Sequence, residues 1–422
     1  MDAIKYKQGV TKASFQSIND ITRFQHCLIP STPMVDVKPL ASSTPILDSG
    51  VLPPRRKKGY TLGFIIGLLI SILFGVVVFK VADTQDQGDL AIASLFAAFI
   101  VVVTIHEIGH TAAGWFVGFH FSSIAIGPIQ FGFEYGKLKF RVLQGASAGG
   151  FAGIHIDRVR RLRHRLLIFI IAGPLANLVS GILSLFLLKY VAPSSSKNWM
   201  VPMGTGFAYL SLLIGIINLI PMGSKLQNDG TRIWTLLNSY EKARRWISAI
   251  ALAKESQKGV PLRLWKRTWL KAASSLKDES YDEFLGNWIA YIAANGRKDI
   301  PELTARLERC LALSHFLSTP KRDEIAREAA ILSAWYRNDA ETADKWLTQR
   351  VYPKNTTQLI QIRTRIALAC ARREFTEAFS GLKEGTIFID ALPDTPFKKT
   401  LREGWKEWEG EVKERADQPV GT

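Results

Sequence analysis

Four long apolar runs occupy the middle of the chain, at residues 60–81, 90–117, 166–188 and 204–220. Each is long enough to cross the roughly 30 Å hydrocarbon core of a bilayer as a helix. Between the second and third runs the pattern changes period. From 122 to 156 the apolar stretches are short and broken by Gly and Pro. A polar turn, Glu134-Tyr135-Gly136-Lys137, separates residues 129–133 from 138–143, which predicts a β-hairpin at the membrane surface. Beyond about Pro261 no run is long enough to span, and amphipathic segments alternate with short polar turns. The turns at Arg337 and Arg372 recur after 35 residues, close to the 34-residue period of helical-hairpin repeats. A weaker unit of the same kind surrounds Asn295-Gly296-Arg297-Lys298-Asp299.

The expected fold class is mainly α. It comprises a polytopic membrane part of about four transmembrane helices, a membrane-surface β-hairpin or sheet after the second, and a soluble helical-hairpin domain. Residues 1–59 read as a polar, Pro/Ser-rich, poorly ordered tail, 60–240 as the membrane domain, and 241–422 as a soluble, tetratricopeptide-like domain suited to a protein partner.

Charge orients this layout. Arg55-Arg56-Lys57-Lys58 stands directly before the first run, and Arg158, Arg160, Arg161, Arg163 and Arg165 lie between the second and third. The loop 83–89 carries three Asp and no Lys or Arg. An excess of Lys and Arg marks cytoplasmic flanks, so both termini and the end of the second run are expected in the cytoplasm. The net charge of +17 is thereby assigned to a lipid surface. No basic stripe interleaved with aromatics is present, and nucleic acid is not an expected partner. Three Cys at scattered positions, 27, 310 and 370, offer neither a disulfide framework nor a thiolate zinc site. Residues 1–50 lack the early apolar core of a secretory signal, and the compact layout suits a bacterial plasma membrane.

The chemistry concentrates in the second run, at His106-Glu107-Ile108-Gly109-His110. Histidines four apart share one helix face and reach a single Zn²⁺, while Glu107 is offset toward a water beside it. Ionisable groups at membrane depth are costly and functional by default. A catalytic zinc takes three protein ligands. Asp229, His120, His155, His164 and Glu134 are the candidates for the third, all at the cytoplasmic side. The third run contains Ala172-Gly173-Pro174-Leu175-Ala176-Asn177, whose small residues permit close helix approach and whose Asn needs a partner in hydrocarbon.

Three motifs in order, H-E-x-x-H, A-G-P-x-x-N and Asn218-Leu219-Ile220-Pro221 followed by Asp229-Gly230, resemble the site-2 protease family of intramembrane zinc metallopeptidases over residues 90–237. The resemblance implies His106, His110 and Asp229 as zinc ligands and Glu107 as the catalytic acid/base. It implies Asn177 and Asn218 as groups that hold substrate or the developing oxyanion, and a transmembrane protein as the substrate. Two features depart from the family pattern. Asn228 stands where Leu is common, and the separation from Pro221 is longer, with Lys225 inside it. The competing reading is a catalytically silent scaffold of the same fold that sequesters membrane clients. An ion transporter is disfavoured because residues 60–81 offer no polar file.

Overall fold

The computed structural model describes residues 45–54, 88–134, 137–142, 150–190, 200–222, 228–317, 319–348, 358–392 and 394–418. The apolar run at 60–81 and the tail before Pro45 lie outside these residues. The chain is mainly helical, with one small antiparallel sheet. It divides into two compact units, residues 57–243 and residues 1–56 with 244–422.

In the first unit, α2 (Gly88–Phe116), α3 (Leu162–Tyr190) and α4 (Met200–Leu219) pack against one another. Leu95, Ala98 and Val102 of α2 and Leu210 of α4 form a core between those two helices. Two stretches, Leu95–Phe116 and Leu162–Tyr190, are long and apolar enough to cross a membrane, and Met203–Leu219 is a shorter apolar helix. The outward faces are apolar too. Phe96, Ile100, Val179, Ile182, Leu183 and Phe186 are all exposed, the reverse of a water-soluble bundle, in which large apolar patches are rare. Pro174 sits inside α3, which continues through it to Tyr190.

The residues between α2 and α3 form a four-stranded sheet in the order β3-β2-β1-β4. Its strands are β1 (His120–Ile126), β2 (Ile129–Glu134), β3 (Lys137–Val142) and β4 (Gly150–His155). The expected hairpin is β2–β3, closed at Glu134↔Lys137 with Phe131 opposite Phe140. β1 joins it to β4, pairing Ile124 with Ala152 and Ile126 with Gly150. β4 is thus an edge strand, and it packs beside α2. After α4 comes α5 (Asp229–Asn238), then α6 (Tyr240–Gln257), which leads into the second unit.

The second unit is built from helical hairpins. α8 (Tyr281–Arg297) pairs with α9 (Ile300–Ala312), α10 (Thr319–Ile331) with α11 (Ala340–Thr348), and α12 (Gln358–Ala371) with α13 (Phe375–Asp390). The short α7 (Arg267–Ala273) precedes them and α14 (Pro396–Asp417) follows. Each hairpin turn reverses through one left-handed residue, Lys298, Asn338 or Arg373. All three fall in the polar turns that the sequence pattern marks. A continuous core containing Trp288, Trp335, Trp346 and Trp408 runs through the unit. Residues 45–54 belong to this unit rather than to a loose tail. They contain α1 (Pro45–Ser49), and Leu47 is fully buried in that core.

Candidate metal centre

Helical periodicity puts His106 and His110 one turn apart on the inner face of α2, with both side chains buried. Their Nε2 atoms lie 3.1 Å apart. Asp229, the first residue of α5, brings Oδ2 to 3.0 Å from His106 Nε2 and 3.4 Å from His110 Nε2. Three donor atoms from two helices therefore form a nearly equilateral triangle. Ligands at the usual 2.0–2.1 Å from a tetrahedral zinc stand about 3.3 Å from one another, which these edges match.

The outer nitrogens support the same assignment. His110 Nδ1 donates to the Phe169 carbonyl at 2.8 Å, so its Nε2 lone pair faces the centre of the triangle. His106 Nδ1 lies 3.1 Å from the side-chain amide of Asn177, which is fully buried and whose Oδ1 has no hydrogen-bond partner. With the amide turned so that Oδ1 meets the ring, it accepts the Nδ1–H, and the second Nε2 lone pair also faces inward. Ring N–H groups tied to oxygen in this way are the usual support of metal-ligating histidines. The residues fit a zinc ion by number, by spacing and by tautomer. Among the described residues, His106, His110 and Asp229 form a group able to hold a metal.

Two glycines make room for these side chains. A Cβ on Gly173 would stand 2.3 Å from His110 Nε2, so the Gly of A-G-P is what lets the imidazole lie against α3. A Cβ on Gly150 would stand 2.2 Å from Glu107 Oε1. The Glu107 carboxylate therefore rests on the backbone at the start of the edge strand β4, one residue along the helix from His106. It is buried beside the donor triangle without belonging to it.

The departure at Asn228 has a structural explanation. Asn228 caps α5 by accepting from Thr231 N, and its Nδ2 donates to Ile217 O and Ile220 O at the end of α4. This ties the start of α5 to the end of α4, so Asp229 reaches the histidines across the longer separation. At the other end of α5, Arg163 donates to the carbonyls of Leu236 and Leu237. Both residues position Asp229, a part that the sequence does not assign to either. An Asn before Asp-Gly is an N-cap signal; the role of Arg163 carries no local signal.

The other sequence candidates fall elsewhere. Asn177 touches His106 rather than open space. Asn218 Nδ2 donates to Ile214 O within its own helix. His120 pairs with Asp157 near the surface at 2.5 Å, and neither His155 nor His164 belongs to the metal-binding group. The side chain of Glu134 lies outside the described residues.

Comparison with known families gives a match to peptidase family M50 over residues 94–194. Comparisons with curated proteins and with solved structures give no match. The matched stretch contains both histidines, Glu107, the whole sheet and Asn177, and it ends before Asp229. The segment carrying H-E-x-x-H and A-G-P-x-x-N matches the model of peptidase family M50, the site-2 protease family.

Proposed function

We propose that the protein is an intramembrane zinc metalloprotease that hydrolyses a peptide bond in or near the transmembrane segment of a membrane-protein substrate. The observation that carries this reading is the His106–His110–Asp229 triangle with Glu107 buried beside it on an apolar helix. His106, His110 and Asp229 would hold the zinc, which when bound would supply Lewis acidity to a water and a substrate carbonyl. Glu107 takes the proton from the attacking water and returns it to the leaving amine. Asn177 and Phe169 O hold the two imidazoles in their ligating orientation. A helical substrate must first unwind, because its carbonyls are engaged in i to i−4 bonds. The free edge of β4, whose first residue lies against Glu107, offers backbone groups to replace them as an added strand.

The four-span, multi-pass layout is supported by connectivity. Residues 45–54 pack with helices beyond residue 244 in one unit, so they and that unit lie on one side of the bilayer. The chain between them must cross an even number of times. Two helices long and apolar enough to cross and a shorter apolar one are described in that interval, and the apolar run at 60–81 of the sequence has the length for a fourth. The cytoplasmic assignment rests on the basic residues 55–58 and 158–165. A silent scaffold would have no use for an acid beside the triangle. Glu107→Gln is expected to lower cleavage of a membrane substrate by about 10²–10⁴-fold while zinc content stays at the wild-type level. Undiminished processing by that variant would refute the protease reading.

A further inference from the structure

We infer that the helical-repeat unit is a peptide receptor whose built-in ligand is the chain's own segment 45–54. This inference concerns the second unit alone and stands whether or not the metal centre is catalytic. The segment is gripped through its backbone as a bound peptide is. Both carboxylate oxygens of Glu308, on α9, accept from successive main-chain N–H groups, Ile46 N at 3.1 Å and Leu47 N at 3.0 Å. The buried indole of Trp346, on α11, donates to Leu47 O at 3.0 Å. Arg322, on α10, donates to Pro53 O at 2.7 Å. The receptor thus satisfies main-chain donors at one end of the segment and main-chain acceptors toward the other, using side chains from three successive helices.

Side-chain selection is equally defined. Leu47 is fully buried among the repeat helices, with Ile46 and Leu52 packed beside it. Asp48 pairs with Arg337. Gly50 turns the segment at φ +65, and a Cβ there would stand 2.5 Å from Lys345 Cβ. The chemistry selected is apolar at 46 and 47, acidic at 48, a residue able to adopt positive φ at 50, and apolar then proline at 52 and 53. One fully buried side chain is a small anchor for ten ordered residues, given the entropy lost in ordering each. The docked state is therefore sustained by tethering within the chain and is open to exchange with a client peptide of the same pattern.

The test uses the full-length protein in detergent and a fluorescein-labelled synthetic peptide of residues 44–54. Leu47→Asp should empty the groove in cis. The labelled peptide is then expected to bind this variant at least tenfold more tightly than wild type, and a scrambled peptide to bind neither. Adding Glu308→Ala to Leu47→Asp removes the acceptor of two main-chain N–H groups and should weaken that binding at least fivefold. If Leu47→Asp loses helical circular dichroism, Asp48→Lys, at a partly exposed position, replaces it with the same expectations. Absence of peptide binding to a folded emptied variant, or equal binding to wild type and variant, would overturn the inference.

Discussion

Both units bury polar side chains, and they do so in opposite ways. In the helical unit most strongly buried charges among the described residues face a complement, Glu411 excepted. Arg363 donates to Glu328, which also accepts from Tyr291. Arg327 meets Asp323, and Arg245 meets Asp278. In the apolar unit the buried groups are alike, with two imidazole lone pairs and a carboxylate oxygen converging within 3.4 Å. Complementary pairs satisfy one another and need nothing further. Converging acceptors need a metal ion or protons shared between them. Burial of a charged residue therefore says little about chemistry, and the sign of what it faces says much.

The comparison can be broken from the helical side first. Arg363→Met leaves Glu328 in the core with its cation removed. Loss of one partner of a buried pair costs about 3–5 kcal/mol, so denaturant unfolding monitored by tryptophan fluorescence should shift by that amount while metal content holds. A shift under 1 kcal/mol would mean that these pairs do not stabilise the unit.

On the metal side, Gly173→Ala should act without touching a ligand. The added methyl would collide with the His110 ring and displace it from the triangle. Zinc affinity is expected to fall about 10–100-fold, as for disturbed ligand orientation generally, with helical content unchanged. Competition with a chromophoric chelator reads this directly, and wild-type affinity would show that the ring has room to spare.

The smallest effect concerns the exception to pairing in the helical unit. Glu411 is buried, its Oε2 has no hydrogen-bond partner among the described residues, and burial pushes its pKa up to about 8. A carboxyl raised on folding favours the native state least when ionised. Its penalty appears as pH rises above about 4.5, the unfolded value, and is complete above about 8. Glu411→Gln should therefore stabilise the unit at pH 8 and do little at pH 4.5. Equal effects at both pH values would contradict this assignment.

The sequence was most readable where chemistry is local. His106, Glu107 and His110 follow from a four-residue spacing on one helix, and the hairpin from a change of period. The turns of the helical repeats show as polar breaks at Lys298, Asn338 and Arg373. The order of the motifs pointed to Asp229, while its means of reaching the histidines did not show, because Asn228 and Arg163 act through carbonyls at two different helix ends. Asn177 reads as a polar group at membrane depth that needs a partner, and it lies fully buried against His106. The identity of that partner, His106, depends on how α2 and α3 pack and is not written in either segment. The docking of residues 45–54 was least visible. Their Pro and Ser content reads as loose chain, and their partners lie some 260–300 positions away.

The central claim is that Asp229 completes a zinc site with the two histidines. Metal content of purified full-length protein, wild type beside Asp229→Ala, tests it most directly. About one zinc per chain is expected in wild type, with less than a tenth of that in the variant at unchanged helical circular dichroism, since three protein ligands are what such a site requires. A folded Asp229→Ala protein that keeps one zinc per chain would contradict the account.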